Sequence, residues 1–260
     1  MLCVNFSNEK GGVGKTTCSV TVAAGLASRG KRVLLIDSDA QGHATRAAGV
    51  PKYPGLYDLL VRDADWKDAL KPVLPAFWGA APVETDKYAQ ADYRLWVLGS
   101  NVETANIANS ISEAWKLADR LEEITDQFDY VIIDTAPTPS LLHGVIYLAS
   151  DYLIYPTQAE LLSLDGLLNS LTHRKSFANL RQVEIGGIVP VMVRPQTWEH
   201  TQMLRTLRKE YGELVWPEIT ESIVWAEASR AARAVFAYNP EHQAAGQAWG
   251  LVDRVEGLTA

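Results

Sequence analysis

The chain has 260 residues, 47% of them hydrophobic and 21% charged, with a formal net charge of −7. That is ample apolar material for a core, and it excludes a disordered chain, a disulfide-stapled scaffold (the two cysteines are Cys3 and Cys18) and a globally basic nucleic-acid binder. No apolar run reaches the roughly 20 residues of a membrane span and no leader-like stretch precedes the first predicted strand, so a reducing cytoplasm is the expected compartment. In chain order, apolar β-prone runs predict strands at Leu2–Phe6, Arg32–Ile36, Leu95–Leu98, Tyr130–Ile133, Tyr152–Tyr155 and Gly187–Val193. Helical spacing predicts helices at Thr16–Ser28, within Ile111–Gln127, and at Leu161–Ala178, Thr201–Tyr211, Trp225–Val235 and Gln243–Val255. This alternation is that of an α/β fold, a twisted and mostly parallel sheet with helices on both faces. Residues 60–94 break the rhythm with Pro72, Pro75 and Pro82 and with Trp66, Phe77, Trp78, Tyr88 and Tyr93. They read as an insertion or extended loop in one domain spanning 1–260, its aromatics a candidate partner surface.

The run Lys10-Gly11-Gly12-Val13-Gly14-Lys15-Thr16-Thr17 stands between the first strand and the first helix. Glycines let consecutive amides point at a polyphosphate, Lys15 adds a point charge on its outer phosphates, and the Thr16 hydroxyl can ligate Mg²⁺. The helix that follows turns its positive end toward the same anion. Two further strands end in carboxylates, Asp37 with Asp39 after Val33–Ile36, and Asp134 after Val131–Ile133. The carboxyl ends of such strands are where an open α/β sheet places its ligand.

The ordinary form of this loop, G-x-x-x-x-G-K-[ST], has glycine where this chain has Glu9, and the chain carries a second lysine, Lys10, instead. In this respect it resembles the ParA/MinD family of deviant Walker A ATPases. Four more segments resemble the family in the right order: Asp37-Ser38-Asp39-Ala40-Gln41-Gly42, with Ala40 in place of the usual proline; Asp134-Thr135-Ala136-Pro137; Pro156-Thr157-Gln158-Ala159-Glu160; and Pro217–Ala228, closing at Tyr238-Asn239-Pro240. The resemblance implies a P-loop NTPase that forms an ATP-dependent sandwich dimer and turns over slowly until a partner stimulates it. It implies catalytic roles for Lys15, for Lys10 acting across the dimer on the partner subunit's nucleotide, and for Asp39, which places the attacking water. Mg²⁺ would be held through Thr16, Asp37 and Asp134, the phosphates by residues 11–17, and Pro156, Gln158 and Pro217 would border the nucleotide.

Within the family, one branch positions plasmids, chromosomes or protein cargo by binding nonspecific double-stranded DNA as an ATP dimer, with a ParB-like or cargo-adaptor protein stimulating hydrolysis. The other binds membranes through a basic amphipathic C-terminal helix. Here the tail charges are Asp253, Arg254 and Glu256, which disfavours a membrane anchor. The expectation is therefore the DNA branch and a nucleoid-associated protein. Two arginines of the usual DNA face are replaced, by Gln196 and Val224, and Arg194, Arg205, Arg230 and Arg233 are the candidates to compensate. A regulatory ATPase acting on a non-DNA surface or protein partner is the alternative. Relatives built around an iron–sulfur cluster need cysteines at the dimer seam, whereas Cys3 and Cys18 fall in a strand and a helix.

Overall fold

The structure, a computed structural model, describes residues 1–79, 93–138 and 140–259. Its centre is a sheet in the order β3-β4-β2-β5-β1-β6-β7. The strands are β1 (Leu2–Phe6), β2 (Val33–Asp37), β3 (Leu70–Pro72), β4 (Leu95–Leu98), β5 (Tyr130–Asp134), β6 (Tyr152–Gln158) and β7 (Glu184–Val191). Every pairing is parallel except β3 with β4. All six expected strands are present. The seventh, β3, is a three-residue edge strand that the sequence reading missed.

Alternation along the strands divides the core in two. Val4, Leu35 and Ile132 point to one face, where α1 (Lys15–Ser28) is packed; Cys3, Leu34, Ile36, Val131 and Ile133 point to the other. Short helices α2 (His43–Ala47), α3 (Leu56–Val61) and α4 (Trp66–Ala69) lie between β2 and β3, α5 (Ile107–Ser110) follows β4, and α6 (Lys116–Glu122) and α7 (Leu141–Leu148) flank β5 in sequence. The remaining helices are α8 (Leu161–Phe177), α9 (Trp198–Tyr211), α10 (Ile223–Arg230), α11 (Val235–Tyr238) and α12 (Gln243–Glu256). The helix expected over Trp225–Val235 instead ends at Arg230, and α11 begins only at Val235; between them Ala232 takes the left-handed conformation at φ 47°.

Helix α1 is buried almost all round, because α12 covers the side that the sheet does not. Contact there is so close that a Cβ on Gly25 would stand 2.3 Å from Val252 Cγ2. Register brings the chemistry together: Phe6 pairs with Asp134 and Asp134 with Asp37, so the ends of β1, β5 and β2 lie level and side by side.

Of the aromatics expected on a partner surface, three are instead in the core, while Tyr93 is half-buried beside Trp96. Trp66, Phe77 and Trp78 are buried, Phe77 and Trp78 in the same cluster as α1, because the turn at 75–78 lies against α1 and α11. The remainder of that stretch, residues 80–92 with Tyr88, lies outside the described residues.

Candidate functional site

The loop from Asn8 to Thr17 leaves β1 and closes over the start of α1. Gly12 and Gly14 adopt φ of 74° and 78°, a conformation that costs an L side chain energy, and so keep the backbone amides free to face an anion. Asn8 braces the turn: its Oδ1 accepts from the Lys10 amide at 2.9 Å, and its Nδ2 donates to the Pro156 carbonyl at 2.8 Å. Pro156 therefore supports the loop from behind, and Gln158 Nε2 reaches the Gly12 carbonyl at 3.5 Å.

The two lysines are held differently. Lys15 is turned inward, 7% exposed, and its ammonium donates to the carbonyls of Asn8 at 2.8 Å and Lys10 at 2.9 Å. Burial pulls its pKa below the ordinary lysine value, opposed by the nearby carboxylates of Asp134 and Asp39. Lys10 stands at the rim, its side chain 29% exposed and its ammonium 3.9 Å from Glu160.

Asp134 is buried at the end of β5, where its Oδ2 accepts from Thr16 Oγ1 at 2.7 Å. Burial and the neighbouring Asp37 raise its pKa. Its Oδ1 is buried with no partner among the described residues. An orphaned carboxylate oxygen beside a hydroxyl is the hard-oxygen donor set that Mg²⁺ takes, so these residues fit that ion. When bound there, the ion supplies positive charge to the outer phosphate oxygens.

Asp37 is fully buried and both of its oxygens are engaged, Oδ1 by the Asp39 amide at 3.1 Å, Oδ2 by the Thr45 amide at 2.8 Å and Thr45 Oγ1 at 2.7 Å. It organises the loop that carries Asp39 rather than presenting a spare oxygen to a metal. Ser100 completes this latch, its amide donating to Thr45 Oγ1 at 3.0 Å and its hydroxyl to the Asp39 carbonyl at 2.6 Å. After β5, His143 Nε2 donates to the Ala136 carbonyl at 2.9 Å and so ties the segment that follows Asp134 to α7. Asn8, Thr45, Ser100 and His143 escaped the sequence reading; only Asn8, a polar residue at the end of an apolar strand, gave a local signal.

Beside the loop lies a cleft of about 380 Å³ lined by Gly14, Thr17, Thr21, Val191, Met192, Ile219–Ser222 and Trp225. Its depth, apolar walls and position next to the phosphate loop suit a purine base. Pro217, expected at the base, is not brought here. It lines a separate cleft with Trp216, Gln247 and Arg254, because the chain turns inward only at Ile219, whose amide donates to the Pro190 carbonyl at 2.8 Å.

A family model described as an AAA domain matches residues 1–184. The sporulation initiation inhibitor protein Soj of Bacillus subtilis is 33% identical over 249 residues, covering 93% of each chain. The chain belongs to the ParA/MinD family of ATPases. A second member, the chromosome-partitioning ATPase Soj of Thermus thermophilus, is 32% identical over 241 residues, 91% of this chain and 88% of that one. Among solved structures, apo McdA of Cyanothece superposes with a TM-score of 0.83 over 98% of this chain and 99% of that one at 21% identity, which shows the shared fold. Like other ParA/MinD ATPases, this chain binds ATP with Mg²⁺ and hydrolyses it.

The four candidate DNA arginines of this family member are not brought together. Arg194 is paired with Glu221, and Arg205 lies exposed on α9. Arg230 and Arg233 share a cleft with His43 and Arg46 on α2. Among the described residues, no helix is long and apolar enough to cross a membrane.

Proposed function

We propose that this ATPase is a dimeric switch that positions DNA or protein cargo, binding nonspecific duplex DNA in its ATP-bound dimer and released by hydrolysis that an adaptor protein accelerates. The observation that carries the reading is the division of labour between the lysines: Lys15 is committed inward to its own loop, while Lys10 sits at the rim, where a partner subunit's nucleotide can meet it. The names of the relatives, a chromosome-partitioning ATPase among them, support the positioning role.

In this mechanism the amides of Gly11–Thr17 bind the phosphates and Lys15 with the partner subunit's Lys10 neutralises charge developing during transfer. Asp39 orients water. Carboxylates are in general weak bases for water, so orientation and electrostatics carry the acceleration and basal turnover is slow. Because Lys10 acts only across the dimer, ATP favours association and hydrolysis undoes it.

The test is binding of Asp39→Ala protein to a labelled nonspecific duplex, with MgATP or MgADP at one fixed salt concentration. Binding with MgATP alone supports the reading. A confirmed dimer that binds duplex in neither state removes DNA from it and favours a protein surface as the target.

A further inference from the structure

A second cleft, of about 360 Å³, lies between the start of α1, α2, the C-terminal end of α10 and the segment leading into α11. Arg46, Arg230, Arg233 and His43 line it, with the hydroxyl residues Thr17, Thr21 and Ser229, and with Phe77 and Trp225 as aromatic wall. None of the lining side chains is acidic. In a chain of net charge −7 this is unusual company. Arg29, Arg32, Arg62, Arg181 and Arg208 each lie against a carboxylate, whereas among the described residues none pairs with Arg46, Arg230 or Arg233. Clustered guanidiniums repel one another until an anion joins them. The indole Nε1 of Trp225 is also buried without an acceptor among the described residues.

We infer that this cleft, which adjoins the nucleotide cleft and shares Thr17, Thr21, Trp225 and Ser229 with it, is a second ligand site that, with nucleotide bound, takes the phosphate group of a small phosphomonoester carrying a flat apolar body. Guanidiniums match phosphate oxygens in pairs, and the volume and aromatic wall are those of a small-molecule pocket. A duplex backbone would meet the rim arginines but leave the Phe77 and Trp225 wall unfilled, which favours the small ligand. The site is wired to the switch. Thr16 and Thr17 open the phosphate-loop helix, and His43 and Arg46 sit on the helix that follows the Asp37–Gly42 loop. The third wall is fixed to the same helix, since Ala232, at φ 47°, is packed against Gly49 just beyond α2. Occupancy would therefore favour one position of α2 over another and, through it, one state of Asp39.

The test is calorimetric titration of phenyl phosphate and of inorganic phosphate into full-length protein saturated with MgADP, with a 20-base-pair duplex titrated into the Asp39→Ala protein with MgATP as a third arm. Saturable binding of phenyl phosphate, tighter than inorganic phosphate, weakened at least tenfold in Arg46→Ala with the affinity for MgADP unchanged, is expected. Arg233→Ala is the second variant should Arg46→Ala not fold. Absence of saturable binding in the presence of MgADP overturns the proposal, as does equal binding by the variants. Loss of duplex binding alone in Arg46→Ala would also overturn it, making the cleft a backbone contact.

Discussion

Replacing Thr45 with valine tests the latch beneath Asp39. The change keeps side-chain shape and removes one hydroxyl, which donates to Asp37 Oδ2 at 2.7 Å and accepts from the Ser100 amide at 3.0 Å, all in a fully buried setting. The lost charge-assisted hydrogen bond is worth roughly 1.5–3 kcal/mol and the stranded amide a further 1–3 kcal/mol or so. Thr45→Val should therefore destabilise the fold by about 2.5–6 kcal/mol, and lower Tm by about 5–24 °C at the 2–4 °C per kcal/mol usual for chains near this length. Because Asp37 also holds the Asp39 amide and Ser100 the Asp39 carbonyl, the variant should lose kcat more than it raises KM for MgATP. Steady-state hydrolysis below the melting transition, with urea titration for stability, reads both effects. A folded variant with unchanged kcat would refute the argument that the latch positions Asp39.

The packing of the stretch expected to be an insertion predicts that Trp78→Ala costs about 3–5 kcal/mol in a urea titration; under 1 kcal/mol would mean that this stretch is not part of the core. At the end of α10, the Ala232 amide donates to Ser229 and the Arg233 amide to Ala228, a Schellman turn whose left-handed position prefers glycine. Ala232→Gly should accordingly raise stability by roughly 1 kcal/mol, read as a higher Tm, and a decrease would refute the cap. Hydrogen bonds from Arg32 hold the Asp129 carboxyl below the ordinary carboxylate range. That contribution is present above about pH 4 and disappears as pH falls through the lowered value, so Arg32→Ala should be less stable than the parent at neutral pH, with the gap closing toward pH 2. A gap independent of pH would locate the effect elsewhere.

What could be read in advance was whatever leaves a local trace. Buried parallel strands announce themselves as apolar runs, and the phosphate loop as glycines spaced between a strand and a helix. β3 left no such trace: Leu70-Lys71-Pro72 is a strand only because β4 offers it an edge, where proline is tolerated. α7 is apolar nearly all round and so shows no helical stripe. Thr45 and Ser100 are 55 residues apart, and their joint role with Asp37 exists only once the sheet has formed. The break after α10 was hidden because an alanine, not a glycine, takes the left-handed turn.

The contact between Gly25 and Val252 has a bearing on where the chain can be cut. The helix whose first turn cups the phosphates is clasped at its other end by the last helix, through Val252 and through Arg29, which lies against Asp253, Glu256 and the Trp249 ring. The tail is thus the keystone of the nucleotide site rather than a trailing appendage. Shortening the chain into α12 removes the backing of α1, and nucleotide affinity and resistance to proteolysis should fail together, at the far end of the chain from the loop they serve.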